Sequence, residues 1–350
     1  MADLDYLLEN VAIATVADVM DLTEENRILV KQGLEMLKRT SNLGLRALIQ
    51  CIGLEGKKIQ AYHIGFILAP CLNASGKLDT AKRALALLRA KTGREADMLA
   101  GDLRALNESR RDMTDRVVDE AMAKVERTDI RGDKVLVIYL PDCHESLAGL
   151  VAGRVRENYY RPVFVLTDSE DGVKGSGRSI ESYSMYEELT GCGDLLTKFG
   201  GHPMAAGLSL DKENVEKFKR RLNDQCTLSE EELTEKVVID MELPFAAITE
   251  HFIEELEYME PFGKGNTKPV FAARGVAMQH VKIIGKNKNV AKATAIDAAG
   301  NRMEAICFHD AQEFAKQCER NNGKMSITFY PGINEFRGER QIQIVITHYR

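Results

Sequence analysis

The chain has 350 residues, 44% of them hydrophobic, and a formal net charge of −6. That content is enough to bury two or three cores of ordinary domain size, which excludes a disordered chain. The longest apolar runs, residues 135–140 and 64–72, fall far short of the roughly 20 residues that span a bilayer, and the acidic opening MADLDYLLEN lacks the basic start of a signal peptide, so no membrane association is expected. Seven scattered cysteines, an odd number with no CxxC pair, argue against a disulfide framework and for a reducing cytoplasm. Residues 271–350 hold 12 Lys and Arg against 7 Asp and Glu, whereas the first 270 hold 35 against 46. A basic end on an acidic chain suits a polyanion partner, although an ordinary solvated surface also reaches that balance.

In chain order, residues 1–92 read as mainly helical, with Thr23 placed to cap a helix through Arg39 and Asp79 to cap one carrying Ala84, Leu85, Leu87 and Leu88. From Arg94 to Arg127 the pattern predicts one helix of roughly 30 residues. Leu99, Leu103, Leu106, Met113 and Val117 form a narrow apolar stripe interrupted by Arg110, a pattern that favours a strut over a coiled coil. KVLVIYL (134–140), ESLAGLVAGRVRENY (145–159) and RPVFVLTD (161–168) then predict a parallel βαβ unit. After the glycine-rich DGVKGSGRS (171–179) and FGGHPMAAGLSL (199–210) comes a charged helix over 212–223. The acidic TLSEEELTEK (227–236) reads as a linker or a short exposed helix. From residue 237 onward strand alternation dominates, ending with Ile342, Ile344 and Ile346 on one face, and five or so strands with one inserted helix, DAQEFAKQCER (310–320), suggest a small β-barrel.

Two segments carry chemistry. Gly200 and Gly201 let backbone N–H groups approach a ligand, and His202 adds a donor that becomes cationic near neutral pH. GSGRS (175–179) offers the Ser176 hydroxyl, exposed amides and the fixed donor fork of Arg178, all suited to phosphate oxygens. The alternative, in which the glycines make turns and the histidine is structural, stays open at this point.

The block over 135–210, with the helix after DCHES, the GSGRS segment and FGGHPMAAGLSL, resembles the DHHA1 domain of the DHH phosphoesterase superfamily. ATVADVMDLTEENRILVKQGL (14–34) resembles the last segment of a DHH catalytic domain, and FILAPCLNASGKL (66–78) its following helical segment. EPFGKGNTKPVF (260–271) and INEFRGERQIQI (333–344) resemble the C-terminal oligonucleotide-binding barrel of the RecJ family of single-stranded-DNA-specific 5′→3′ exonucleases. The fold class implied is α/β multidomain: the helical end of a DHH domain over 1–92, a connecting helix over 93–128, a DHHA1 domain over 129–226, a linker over 227–236 and an OB-type β-barrel over 237–350.

The resemblance implies a two-metal phosphodiesterase using Mn2+ or Mg2+. Asp18 matches the metal-binding aspartate of the TVADV segment. No His-His pair occurs in the chain, and Asp3 and Asp5 fall where the family has ordinary helix, so most metal ligands are expected from residues outside it. One carboxylate does not hold two metals. The implied options are a fragment of a longer exonuclease acting in DNA repair, a subunit complementing a separate DHH half, or a single-strand-binding module without activity. A small-substrate enzyme acting on short oligonucleotides or a cyclic dinucleotide is a further reading, against which the barrel argues.

By the same resemblance Ser176 and Arg178 receive a 5′-terminal phosphate, and Gly200, Gly201 and His202 line the phosphate path, with His202 as the catalytic electrostatic group. His144 stands at the helix after the first strand, where capping and substrate contact are equally open. Lys77 and Cys71 occupy positions where the family commonly has arginines. A lysine there still neutralises phosphate, whereas a cysteine does not. On the barrel, Lys282, Lys286, Lys288, Lys292, Arg337 and Arg340 supply cations, and Phe271, Phe329, Tyr330 and Phe336 are candidate stacking rings, of which at least half are expected in the core. The implied partners are single-stranded DNA and, in repair, a single-strand-binding protein and a helicase, with the chain itself a monomer.

Overall fold

The computed structural model describes residues 7–78, 80–285, 287–308, 310–320, 323–336 and 338–350, apart from the side chains at 77, 78 and 336. The elements in order are α1 (Leu8–Ala17), α2 (Glu24–Leu37), α3 (Leu43–Cys51), and α4 (Ala61–His63), which passes through a π turn (Ile64–Leu68) into α5 (Ala69–Leu78). They continue with α6 (Lys82–Leu88), α7 (Gly93–Arg127), β1 (Leu136–Tyr139), α8 (Glu145–Tyr159), β2 (Val163–Ser169), β3 (Gly172–Arg178), α9 (Met185–Gly191), β4 (Lys198–His202), β5 (Ala205–Leu210) and α10 (Val215–Gln225). The last are β6 (Met241–Glu242), α11 (Glu250–Glu257), β7 (Phe271–Ile284), β8 (Val290–Ile296), β9 (Arg302–Cys307), α12 (Ala311–Arg320), β10 (Lys324–Phe336) and β11 (Glu339–Tyr349). No helix among the described residues is long and apolar enough to cross a membrane. All seven cysteines are free thiols.

The chain divides into two compact units, one of residues 1–40, 54–69 and 237–350, the other of residues 41–53 and 70–236. The expected helical block over 1–92 is therefore shared between them. In the first unit, β7, β8, β9, β11 and β10 pair in that order, and β10 returns to β7, which closes a five-stranded barrel. All its pairings are antiparallel except β9 with β11. The inserted α12 falls between β9 and β10, as the sequence predicts, and Phe314 and Cys318 on it join the barrel core. Ile344 and Ile346 are buried there with Ile342 packed beside them. Closure leaves the five strands without a free edge, the common liability of a small sheet.

Outside the barrel the same unit contains α1 packed on α2 at a close crossing. A Cβ on Gly33 would lie 2.4 Å from the Leu8 carbonyl oxygen and 2.5 Å from Ala12 Cβ, so only glycine admits that approach. Thr23 occupies the N-cap of α2 as expected but makes no side-chain cap bond, and the helix ends at Leu37 instead of Arg39.

In the second unit a mixed sheet runs β1-β2-β3-β5-β4, with β1 and β2 parallel and joined by α8, the βαβ unit read from the sequence. Its two faces bury separate clusters. One packs α8 against Val163, Val165, Leu136 and Ile138, and the other packs α9 and α10 around Phe164, Leu166 and Phe218. The long helix is capped by Thr92, whose hydroxyl accepts from the Glu95 amide, and runs for 35 residues. It packs on α3, α6, α8 and β1, and Ala121 and Val125 in its last turns join the core beneath α8.

Three details differ from the sequence reading. Arg110 does not interrupt the inner stripe of α7 but belongs to it: Ala96, Ala100, Leu103, Asn107, Arg110 and Thr114, spaced alternately by four and three, are all buried. The helix expected from Asp79 begins at Lys82 with Ala81 at its N-cap, and Asp79 lies outside the described residues. The acidic segment 227–236 forms turns and is anchored, with Leu228 and Leu233 buried in the sheet core and their carbonyls accepting from Lys134 and Arg161.

Phe329 is fully buried at the centre of the barrel, edge-to-face with Phe245 at 5.9 Å and tilted against Phe271 at 6.2 Å. Phe329→Ala should destabilise the barrel by about 3–5 kcal/mol, read as a lower urea midpoint of the barrel transition.

Candidate nucleic-acid interface

Strand β3 is hydrogen-bonded on both sides, to β2 and to β5, which overturns the expectation of exposed backbone amides at GSGRS. The glycines serve packing instead. A Cβ on Gly175 would come within 2.5 Å of Leu166, and one on Gly177 within 2.7 Å of Phe164 and 2.8 Å of Met185. The alternation of a strand then sends Lys174, Ser176 and Arg178 to the opposite face, the one covered by α8.

Cross-strand register builds that face row by row. Lys174 stands beside Ser209 and Lys198, Ser176 beside Gly207 and Gly200, and Arg178 beside Ala205 and His202. The first two rows, with the N-terminal turn of α8, line a groove of about 490 Å3 floored by Gly200 and Gly207. Within it Lys174 is ion-paired to Glu145 at 2.6 Å, which holds the Glu145 carboxyl below the usual carboxylate range. His144 caps α8: its Nδ1 accepts from the Ser146 amide and lies 2.7 Å from Ser146 Oγ. Of the two roles left open for His144, capping is the one the geometry displays.

His202 ends the edge strand β4 and is exposed at the tip of the β4–β5 hairpin. The two glycines before it differ in kind. Gly201 has φ +152°, and a Cβ there would sit 2.4 Å from the Ala205 carbonyl oxygen, whereas Gly200 has nothing within 4 Å. One glycine permits the hairpin and the other leaves the groove floor open.

Arg178 shares a sheet face with Ser176, yet its guanidinium lines a different groove, of about 350 Å3, between α7 and α8. It lies against α8 where a Cβ on Gly149 would be 2.7 Å from Nη2, and its Nη1 donates to the Gly177 carbonyl at 2.8 Å. Burial and the neighbouring Arg156 both push its pKa down. Arg110, Arg111, Arg154 and Arg156 line the same groove. Cys71 is buried, with its thiol pushed up to about 11 chiefly by burial, and Arg110 and Asn107 act on it. Cys71 is thus a neutral thiol beside a buried arginine from α7. Sequence reading missed Arg110, Asn107 and Arg156. The three-four spacing that continues from Ala96 to Thr114 was the signal for the first two, hidden by the polarity of its middle members.

In the other unit, Asp18 is exposed at the C-cap of α1. Among the described residues no group of three or more His, Cys, Asp or Glu side chains is placed to hold a metal. The donor set of a two-metal site is therefore not met by these residues. On the barrel, Phe271 and Phe329 are core residues, while Tyr330 is half-buried, edge-to-face with Phe262 and under the Lys268 ammonium at 4.2 Å. Lys292 is ion-paired to Glu304 at 2.7 Å and Arg340 to Glu250 at 3.4 Å, whereas Lys282 and Lys288 are exposed at the β7–β8 hairpin. Lys286 and Arg337 lie outside the described residues, as do the side chains of Lys77 and Phe336.

Residues 132–228 match the DHHA1 domain family, and residues 239–348 match the RecJ OB domain family. The single-stranded-DNA-specific exonuclease RecJ of Bacillus subtilis is 34% identical over 346 residues, 98% of this chain and 44% of that protein. The chain belongs to the RecJ family. The Escherichia coli RecJ exonuclease is 32% identical over 98% of this chain and 61% of that protein, so the chain spans about half the length of the curated relatives it matches. The crystal structure of Thermus thermophilus RecJ with Mg2+ superposes with a TM-score of 0.84 at 26% identity, covering all of this chain and 53% of that one, and a second structure of the same protein holds Mn2+. The long helix, DHHA1 sheet and OB-type barrel are thus the family's architecture.

Gly201→Ala should lower thermal stability by about 1–3 kcal/mol through strain and the clash with Ala205. Gly200→Ala should leave the melt within about 0.5 kcal/mol of the parent while narrowing the groove, so that calorimetry separates the two glycines.

Proposed function

We propose that this chain forms the DHHA1 and barrel part of a single-stranded-DNA-specific 5′→3′ exonuclease, and that by itself it binds single strands without cutting them. The observation that carries the reading is the pairing of two anion-suited grooves on the DHHA1 sheet with a closed OB-type barrel whose β7–β8 hairpin presents Lys282 and Lys288. Sequence-tolerant binding needs cations that follow the backbone and rings that stack on bases. Lys282, Lys288 and the part-exposed Tyr330 offer both within the barrel unit. In the DHHA1 unit, Ser176, Gly200, Gly201 and His202 line the path of the phosphates, and Arg178 receives the 5′-terminal phosphate. The exposed imidazole of His202 supports electrostatic stabilisation of charge that develops on a phosphate. Divalent Mg2+ or Mn2+ belongs to the reaction of the whole enzyme, with Asp18 contributed by this chain and most ligands by residues outside it. The compartment is the cytoplasm, and a single-strand-binding protein and a helicase are the partners proposed for the whole enzyme.

A mobility-shift assay with end-labelled single-stranded and duplex DNA, with and without Mn2+, tests this directly. The expected result is a shift of single strands only, weakened steeply by salt, with no released nucleotide. Replacing Lys282 and Lys288 together by Ala should flatten the salt dependence, by about 0.7 in log–log slope for each phosphate no longer neutralised. Metal-dependent release of nucleotides, or equal binding of duplex, would overturn the reading. In an enzyme that joins this chain to a metal-binding DHH half, His202→Ala should reduce cleavage while the melt stays within about 0.5 kcal/mol of the parent; parallel loss of both would remove His202 from the site.

A further inference from the structure

The barrel unit contains a cavity that the proposed function does not use. It holds about 470 Å3, within the roughly 300–1,000 Å3 of small-ligand pockets, and its walls come from α2, the segment 58–62, α11 and the loop 258–268. Hydrogen bonds tie those walls together. Arg27 of α2 donates to the Tyr258 and Met259 carbonyls at 3.2 and 3.0 Å, Lys58 pairs with Glu257 at 2.7 Å and Glu260 at 3.1 Å, and the Gln60 amide donates to Glu260 at 2.7 Å. The frame thus holds the cavity open before any ligand arrives, which lowers the ordering cost of binding. The same pairs settle the charge. With Lys58 engaged by Glu257 and Glu260, and Glu35 by Lys38 at 2.6 Å, the lining is left with two ammoniums, Lys31 and Lys268, that make no ion pair with a described residue, against one such carboxylate, Glu254. Its apolar part is aromatic and open to water. Tyr62 and Tyr258 line the cavity at 60% and 77% exposure, and Phe262 lines it part-buried. Phe66, 71% exposed, stacks on Tyr62 with centroids 4.9 Å apart and planes 27° from parallel. Single exposed apolar side chains are ordinary, whereas a stacked pair of rings left in water beside a cavity marks a binding surface.

We propose that this cavity binds one nucleotide unit, with its base on the Tyr62 ring and its phosphate at Lys31 and Lys268. A nucleotide joins a flat π system to an anion, the two features that the lining offers unpaired, and an aromatic face accepts any base. The ammoniums act on the phosphate as point charges, so the phosphate need not be terminal. Lys268 is held in place by the Tyr330 ring, over which its ammonium sits at 4.2 Å. The nucleotide is either one unit of a bound strand or a free mononucleotide, the kind of product an exonuclease releases. The chemistry of the pocket does not depend on strand binding, which enters only as one of these two sources.

Calorimetric titration of deoxyadenosine 5′-monophosphate into the 350-residue chain, without metal, tests the pocket. Saturable binding is expected, weakened about fivefold or more by Tyr62→Ala, the low end of what one lost base stack costs. Lys31→Gln should weaken the nucleotide by a similar factor and leave deoxyadenosine, which lacks the phosphate, unchanged. Both side chains are exposed, so both variants are expected to fold, and a thermal melt of each checks this. Absence of saturable binding, or folded Y62A and K31Q that bind as the parent does, overturns the inference. Displacement by inorganic phosphate as effective as by the nucleotide would reduce the cavity to an anion site and overturn the role of the rings. A short oligonucleotide with hydroxyl groups at both ends identifies the source. Its competition with the mononucleotide supports the pocket and places it on the path of a strand, and simultaneous binding of the two supports it as a site for the free mononucleotide. Single-strand binding without mononucleotide binding would sink this pocket alone and leave the proposed function standing, and the reverse pattern would sink the proposed function and leave the pocket.

Discussion

The register of β3 between β2 and β5 governs the chemistry of the DHHA1 unit. Hydrogen bonds on both sides fix it, and the side-chain period of a strand does the rest. With Gly175 and Gly177 turned inward, Leu166, Leu208, Phe164 and Met185 approach the strand as closely as an absent side chain allows. Lys174, Ser176 and Arg178 are thereby committed to the face under α8, opposite Ser209, Gly207 and Ala205 respectively. A slip by one residue would bury the three polar side chains and expose the glycines, so core packing and the polar face are enforced together.

Along α7 a second constraint operates, one that packing makes costly. Its inner stripe is apolar at Ala96, Ala100 and Leu103, then polar at Asn107, Arg110 and Thr114, and apolar again at Ala121 and Val125. Two members of the polar stretch, Arg110 and Thr114, line the groove against α8. Thr114 satisfies itself by donating to the Arg110 carbonyl, and Asn107 accepts from Arg110. The guanidinium is only partly satisfied in this way, and a partly satisfied buried charge lowers stability.

The barrel solves a different problem. Five strands with only a few large core side chains, among them Phe245, Phe271, Phe314 and Phe329, exclude water because closure of β10 onto β7 leaves no open edge. The aromatics this requires are withdrawn from any binding face, so of the candidate rings Phe271, Phe329 and Tyr330 it is Tyr330 that is left half-exposed.

Periodicity alone determined much of this protein. The 35-residue helix, the βαβ unit, the barrel strands and the inserted helix each follow from apolar residues repeating at the spacing of their element, and that repetition is a local property. The motifs GSGRS and FGGHPMAAGLSL were likewise legible as places where glycine and polar groups concentrate. What the glycines do was not, because whether a glycine frees a backbone amide or makes room for a leucine depends on what stands opposite, and for Gly175 that is Leu166 and Leu208, distant in sequence. Arg110 shows the same limit from the other side. Its charge marked it as a break in the stripe, and only the packing of α7 against α8, with Arg156 and Arg178 brought to one groove, placed it inside. Local sequence sets which elements form, whereas the environment of a charge or a glycine is a sum over neighbours that only tertiary packing assembles.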